Sequence, residues 1–285
     1  MTGRQSPAHE RPAPSPEPQP TPRPVRHAAT CEYRALTTSA ELIESFRLRH
    51  DVYSALGYLQ RASASGLEID AFDLVSIPFG AFDPETGAII GTLRLITTEV
   101  SAEYEHLIAC ALGEICDRTL TDQALAPRSR VLPSIISDPI AHAVAAFNAP
   151  QYPVYELSRF ILHPGYRGAG ISRGLVLLAM THAMRSSHAT LLASCLADHI
   201  ARYERYGFLR LPDTELDYFD SVGQIANAII ARTDCLPEPF RSELDDLVTA
   251  AESDADDCRL EFARDTRALF RFVSPHRVQR RTREW

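Results

Sequence analysis

The feature that most constrains this chain is a change of backbone pattern between residues 155 and 185. A strand-like apolar run ends at His163–Pro164, a basic and glycine-rich turn follows, and a helical run without Pro or Gly extends from Leu175 to Arg185. Glycines let successive backbone N–H groups point at one spot, and a helix start adds the positive end of its dipole. Arg167 adds a guanidinium suited to phosphate. The order predicts a site for the pyrophosphate of an acyl carrier such as coenzyme A, and hence acyl transfer.

The turn and a second motif downstream resemble the GNAT superfamily of N-acetyltransferases. The turn has the form Arg-x-x-Gly-x-Gly/Ala, with serine at its last position, where the superfamily usually has Gly or Ala. The second motif ends in Tyr-x-x-x-Gly-Phe and places Tyr203 at the usual tyrosine, while His199 stands where alanine is usual. The two motifs stand in order, roughly 30 residues apart, as a strand–helix–strand–helix unit requires. The resemblance implies donor contacts from Phe160, Ile161, Leu162, Arg167, Gly168, Ala169, Gly170, Ile171 and Ser172.

The same turn also fits a different enzyme class. The run from Gly170 through Ser172 to Gly174 matches the Gly-x-Ser-x-Gly elbow of α/β-hydrolases, in which the serine directly follows a strand at a sharp turn. Here Pro164 and Gly165 intervene between the strand and the serine. We therefore favour the transferase and keep the hydrolase as an alternative.

The front of the chain indicates which branch of the superfamily the chain resembles. Apolar residues three and four apart predict a helix over residues 40–56, and residues 77–96 are typical of a strand–turn–strand hairpin. The chain shows five motifs in order. They are an arginine and an aromatic on that helix, a Gly-aromatic pair, a Glu-x-Asp-x-x-Asp run, an arginine on a strand, and a Glu-x-Ser-Arg-Phe run. This order resembles the acyl-homoserine-lactone synthases and the long-chain N-acyl amino acid synthases, although Tyr58 replaces their usual tryptophan. The resemblance implies substrate contacts from Arg49, Tyr53, Tyr58, Asp70, Asp73, Arg94 and Arg159.

Amide formation from a thioester needs an uncharged amine, a polarised carbonyl and a way to release thiolate. Glu156, on the strand before the turn, can take the amine proton directly or through one water. Backbone N–H groups of residues 160–162 can hold the oxyanion if the strand diverges from its neighbour. Tyr203 can protonate the departing thiolate, or it is a half-buried aromatic that only packs.

The charged residues have two interpretations. In the first, the three arginines and two aspartates named above form one network that shapes the amine pocket, and an arginine binds the carboxylate of an amino-acid acceptor. In the second, Glu156 is merely the ion-pair partner of Arg49, Arg94 or Arg159, and Asp70 and Asp73 lie in a solvated loop. The sequence leaves both open.

Composition excludes several other classes. The net charge of −8 argues against broad nucleic-acid binding, and no apolar run reaches the roughly 18 residues of a membrane span. The N-terminus lacks the apolar core and cleavage site of a secretory signal, and six cysteines without a Cys-x-x-Cys pair indicate reduced thiols. His182 and His188 are poorly spaced for zinc, and no metal is expected. We expect a protein of the bacterial cytoplasm.

The predicted organisation has three parts. Residues 1–30 are a proline-rich disordered arm, residues 31–215 an acyltransferase domain with a helical insert at about 98–151, and residues 216–285 an extension that completes the domain or forms a small subdomain. Within the extension, we expect helices near 221–232 and 240–252. The expected fold class is α/β (α+β), a GNAT-like mixed twisted sheet with helices on both faces.

The predicted function is transfer of an acyl group from acyl-CoA or acyl carrier protein to the amine of an amino-acid-like small molecule. Three alternatives stay open. They are acyl-homoserine-lactone synthesis with S-adenosylmethionine as acceptor, short-chain N-acetylation, and a non-catalytic acyl-CoA sensor. The sequence does not indicate the length of the acyl chain or the oligomeric state.

Overall fold

A computed structural model describes most of the chain between Cys31 and Phe272. The predicted arm at residues 1–30 lies outside the described residues, which are 31–59, 64–97, 102–115, 132–185, 187–211, 214, 217–219, 224–253, 260–262 and 270–272. The helices are α1 (Ser39–Leu56), α2 (Ala102–Glu114), α3 (Asp138–Phe147), α4 (Ile171–Met184), α5 (Ile200–Glu204) and α6 (Phe240–Ser253). The strands are β1 (Glu32–Ala35), β2 (Ser76–Phe82), β3 (Ile89–Ile96), β4 (Val154–Leu162), β5 (Thr190–Cys195), β6 (Leu209–Arg210), β7 (Asp217–Phe219), β8 (Gln224–Arg232), β9 (Leu260–Phe262) and β10 (Phe270–Phe272).

The described strands form one sheet in the order β10-β9-β1-β2-β3-β4-β5-β8-β6, and β7 pairs with β8 beside this path. The pair β4–β5 is parallel, and the other described pairs are antiparallel. The sheet is therefore mixed, as predicted. The predicted hairpin is confirmed as β2 and β3, joined by a turn in which Asp83 accepts the backbone N–H groups of Glu85 and Thr86.

Helix α1 shows how local sequence positions the first element over the sheet. The Thr38 side chain accepts the N–H of Glu41, and the Glu41 carboxylate accepts the N–H of Thr38, which together form a capping box. The helix ends at Gly57, whose φ of 71° is the left-handed conformation that favours glycine. The predicted helix over residues 40–56 is confirmed.

Helices cover both faces of the sheet, as predicted. One apolar cluster joins α4 and α6 to the sheet residues on one face, including Leu95 and Leu157. On the other face α1 and α2 share a cluster with Phe82, and α3 packs against Ile96 and Leu192. Among the described helices, none combines the length and the apolar character that crossing a lipid bilayer requires.

The helix predicted near residues 221–232 is wrong, because Gln224–Arg232 is the strand β8. This strand lies between β5 and β6, and residues 226–231 are buried on both faces. A strand buried on both sides shows no alternation of apolar and polar residues, so its run of alanine and isoleucine resembles a buried helix. The predicted helix near residues 240–252 is confirmed as α6.

Candidate active site

Glu156 lies on β4 in the middle of an apolar row. Its neighbours across the sheet are Ile96 on β3 and Leu192 on β5, which belong to the cluster under α3. The residue is only 1% exposed. Ser134 holds both carboxylate oxygens, because its N–H donates to Oε2 at 2.9 Å and its hydroxyl donates to Oε1 at 2.8 Å. The candidate base is thus a buried carboxylate with two hydrogen bonds from one residue.

Burial gives Glu156 an unusual proton affinity. Loss of solvent raises the pKa of Glu156 to about 7, and this effect outweighs the Ser134 hydrogen bonds and the charges of Arg94 and Arg159, which lower it. The ion-pair interpretation of Glu156 is not what the described residues show, since the nearby guanidinium groups bond other carboxylates. A carboxylate that titrates near neutral pH suits proton transfer at that pH.

A closed ionic network lies beside Glu156. Arg49 binds Asp73 through two hydrogen bonds, of 2.8 and 3.0 Å, and Arg94 binds Asp70 in the same way at 2.7 and 2.8 Å. Arg159 contacts Asp70 at 2.6 Å, and a third carboxylate joins Arg159 to Arg49. This third carboxylate is Glu68. Three guanidinium groups and three carboxylates therefore balance one another.

The network corrects one expectation and qualifies another. Asp70 and Asp73 do not lie in a solvated loop, since Asp73 is 3% exposed and the arginines, acting against burial, hold the pKa of both carboxyls below the usual range. Every guanidinium already faces carboxylates of the chain, so an acceptor carboxylate would have to displace one of them. Binding of that carboxylate by Arg49, Arg94 or Arg159 stays a prediction. Glu68 was not assigned a role from the sequence, although it is the first residue of the acidic motif that supplied both aspartates.

Strand β4 diverges from β5 just after Glu156. Their pairing ends at Leu157, and β4 then carries a bulge against β3 at which Arg159 has a φ of 51°. The N–H of His163 donates to Ile90 on β3, so by alternation along the strand the N–H groups of Phe160 and Leu162 face the opposite edge. These are two of the three backbone positions predicted to hold the oxyanion.

The glycine-rich turn is exposed at the start of α4. Gly168 and Gly170 have φ values of 83° and 82°, and a Cβ at either would meet nothing within 4 Å, so glycine is required there for conformation and not for space. Arg167 and Ala169 are exposed, and α4 begins at Ile171 without a side-chain cap. The arrangement has the open N–H groups that an anion site needs.

The hydrolase alternative fails on this geometry. Strand β4 ends at Leu162, and Ser172 lies ten positions later in the first turn of α4. A nucleophile elbow requires the serine at a sharp turn directly after its strand. Ser172 therefore belongs to the helix start and not to an elbow.

Tyr203, on the short helix α5, packs beside the diverging part of β4. Its ring lies 6.4 Å from that of Phe160 and 5.7 Å from that of Phe208, both edge-on. Burial raises the pKa of Tyr203 above its usual value, so the hydroxyl keeps its proton at neutral pH. Tyr203 packs against the apolar cluster on the α4 face, whereas Glu156 faces α3. The candidate acid and base thus lie on opposite sides of the β4–β5 opening.

The two remaining aromatic candidates lie next to the network. The guanidinium of Arg159 is 5.6 Å from the ring centre of Tyr53, and the Tyr53 and Tyr58 rings are 6.0 Å apart. Tyr53 therefore lies beside the network, and Tyr58 lies beside Tyr53.

A family model matches the stretch of chain that contains Glu156, the glycine-rich turn and Tyr203. The family model described as "Acetyltransferase (GNAT) family" matches residues 71–208. Curated proteins give no match. Among solved structures, the chain is similar to FeeM, an N-acyl amino acid synthase from uncultured soil microbes, with 18% identity and a TM-score of 0.48 over 70% of this chain and 90% of that one. It is also similar to the CoA-dependent acyl-homoserine lactone synthase BjaI, with 15% identity and a TM-score of 0.46 over 77% of this chain and 90% of that one. A third similar structure is Escherichia coli ElaA, with 13% identity and a TM-score of 0.39 over 70% of this chain and 99% of that one.

Proposed function

This chain contains a domain of the GNAT acetyltransferase family at residues 71–208, as its motifs indicated, and from this premise we propose which acyl transfer it performs. The chain moves an acyl group from an acyl thioester, acyl-CoA or acyl carrier protein, to the amine of an amino-acid-like small molecule. One observation carries the proposal: Glu156 is a buried carboxylate, held by Ser134, directly before the opening between β4 and β5. Burial raises its pKa to about 7, which suits a base.

The proposed reaction uses both sides of that opening. The amine nitrogen attacks the thioester carbonyl carbon, the C–N bond forms and the C–S bond breaks. Glu156 takes the proton that the amine loses, and Tyr203 gives a proton to the departing thiolate. The N–H groups of Phe160 and Leu162 stabilise the oxyanion between these two steps.

Binding of the donor would follow the same opening. The pantetheine arm would lie between β4 and β5, with its pyrophosphate at Gly168–Gly170 and the guanidinium of Arg167 beside it. The intact turn supports coenzyme A as the carrier, while a carrier protein presents a phosphopantetheine without the pyrophosphate. We expect this reaction to take place in the bacterial cytoplasm.

The proposal is tested by the product. The chain is incubated with acyl-CoA or acyl carrier protein together with single amino acids or S-adenosylmethionine, and both free thiol and product mass are measured. Thiol release that depends on an amino acid, with an N-acyl amino acid as product, supports the proposal. A homoserine lactone product would identify the alternative synthase. Donor binding without thiol release for any amine would instead indicate an acyl-CoA sensor.

A further inference from the structure

Ser134 lies in a part of the chain to which the family pattern assigns no role. It follows the residues outside the described structure and precedes α3, within the insert predicted at about 98–151. Leu132, Ile140 and Val144 from the same segment pack into the apolar cluster that contains both neighbours of Glu156. The segment therefore covers the face of the sheet on which Glu156 lies.

The contact between Ser134 and Glu156 consists of two hydrogen bonds between buried groups. Ser134 is 0% exposed, and its N–H and hydroxyl take one carboxylate oxygen each, at 2.9 and 2.8 Å. The two residues are 22 positions apart in the chain. A buried hydroxyl that donates to a buried carboxylate beside an apolar cluster has a more specific role than packing.

We propose that Ser134 is a positioning residue that fixes the orientation of Glu156 and stabilises its ionised form for proton transfer. The inference rests on the proposed role of Glu156 as base. It also assigns a task to the insert, which supplies both this serine and the apolar cover that excludes water from the carboxylate.

The surroundings explain why one hydroxyl matters. The charged groups that act on Glu156 are Arg94 from β3 and Arg159 from β4, and both are already paired with carboxylates of the network. The residues that β5 and α3 contribute to its cluster are apolar, Leu192, Ile140 and Val144 among them. Ser134 therefore supplies the hydrogen bonds that favour the anion. Loss of the hydroxyl should raise the pH at which Glu156 ionises by about one unit, a tenfold change in proton affinity.

The first readout is the pH dependence of turnover. In Ser134→Ala the rising limb of kcat should move up by about one pH unit, with most of the rate recovered at high pH. Ser134→Thr keeps the hydroxyl and should restore the limb. Ser134→Cys, which is closer in size and a weaker donor, should fall between them. Ser45→Ala is the matched control, because this buried hydroxyl donates to the Leu42 carbonyl at 2.8 Å and meets no carboxylate.

The second readout does not depend on activity. Stability of Ser134→Ala relative to the natural chain is measured by urea unfolding between pH 4.5 and 9, and the difference should grow about tenfold in the folding equilibrium constant as pH rises. In the Glu156→Gln background this growth should vanish. A difference that is the same at every pH would overturn the inference. A pH-dependent difference without any shift in the rate profile would instead keep Ser134 as the partner of Glu156 and reject Glu156 as the base.

Discussion

Two sets of acids lie next to each other in this structure, and they differ in what surrounds them. Asp70 and Asp73 face three guanidinium groups that hold the pKa of each carboxyl low. Glu156 faces one serine, and burial raises its pKa to about 7. The same functional group is a permanent anion in the network and a titrating group at Glu156. Partners, more than burial, determine which of these a carboxyl becomes.

This difference suggests that one set stabilises the fold and the other takes part in the reaction. A set of three cations and three anions holds α1, the acidic motif, β3 and β4 together. Within it, Asp70 and Asp73 have lowered pKa values and stay ionised at neutral pH. Ionisation of the Glu156 carboxylate lowers the stability of the fold, because the charge is buried. The ionised carboxylate can accept a proton. We expect changes in the network to affect mainly folding and changes at Glu156 to affect mainly turnover.

The largest expected effect is that of Glu156→Gln on turnover. The amide keeps the shape, its oxygen can still accept the Ser134 N–H, and its NH2 group can donate to the Ser134 hydroxyl oxygen. It accepts no proton, so kcat should fall by about 10²–10⁴-fold while donor affinity is unchanged. Thiol release and calorimetric titration of the donor measure the two quantities. Glu44→Gln is the control, because Glu44 accepts the N–H of Ile89 in the part of the chain that the structure describes. Equal losses in rate and donor affinity would contradict the role as base.

The network should respond in stability. Asp73→Asn leaves Arg49 and Arg94 short of a charge in a buried position and should destabilise the chain by about 3–5 kcal/mol. Urea unfolding measures this cost. Asp51→Asn is the control, because its side chain is 67% exposed and the change should cost less than about 1 kcal/mol. Similar costs for the two variants would show that the network is not a stabilising unit.

The two sets of acids should also give opposite dependences of stability on pH. The folded-state pKa of Glu156 is raised from 4.5 to about 7, so its contribution is complete below pH 4.5 and is lost as pH rises through 7. Glu156→Gln should therefore gain roughly 3 kcal/mol on the natural chain between pH 4 and pH 8. The pKa values of Asp70 and Asp73 are lowered, so their contribution is present above the ordinary aspartate pKa and is lost in acid. Unfolding at both pH values tests the two signs.

The smallest expected effect concerns the glycine-rich turn before α4, which belongs neither to the ionic network nor to the surroundings of Glu156. Gly170→Ala and Gly57→Ala each place a side chain at a φ above 70° in open space, and each should cost about 1–2 kcal/mol of stability. Only Gly170→Ala should also weaken binding of acyl-CoA, since Gly57 ends α1. Calorimetry with both variants separates the conformational cost from the loss of a phosphate contact. Equal donor affinity in the two would count against the turn as the donor site.

Much of this was predictable from the sequence because the signals are local. The glycine turn, the hairpin and the order of Arg49, Asp70, Asp73, Arg94 and Arg159 predicted the GNAT-like fold and one charged network, both of which the structure shows. Side-chain contacts inside the network were not readable in detail, so Glu68 was given no role.

The remainder depends on contacts that no local pattern records. Ser134 reaches Glu156 from a loop in the insert, and an isolated serine near prolines carries no signal for that partner. The sequence of strand β8 resembles that of a helix because both faces of the strand are buried. In each case tertiary packing decided the outcome.

The most direct test is a carbon-13 titration of the labelled carboxyl groups of aspartate and glutamate between pH 3 and 9. Glu156→Gln and Asp73→Asn assign the two signals. The account predicts that the Glu156 signal titrates near pH 7 and that the Asp73 signal titrates below the ordinary aspartate range. A Glu156 signal that titrates near 4.5, as in an exposed glutamate, would contradict the account.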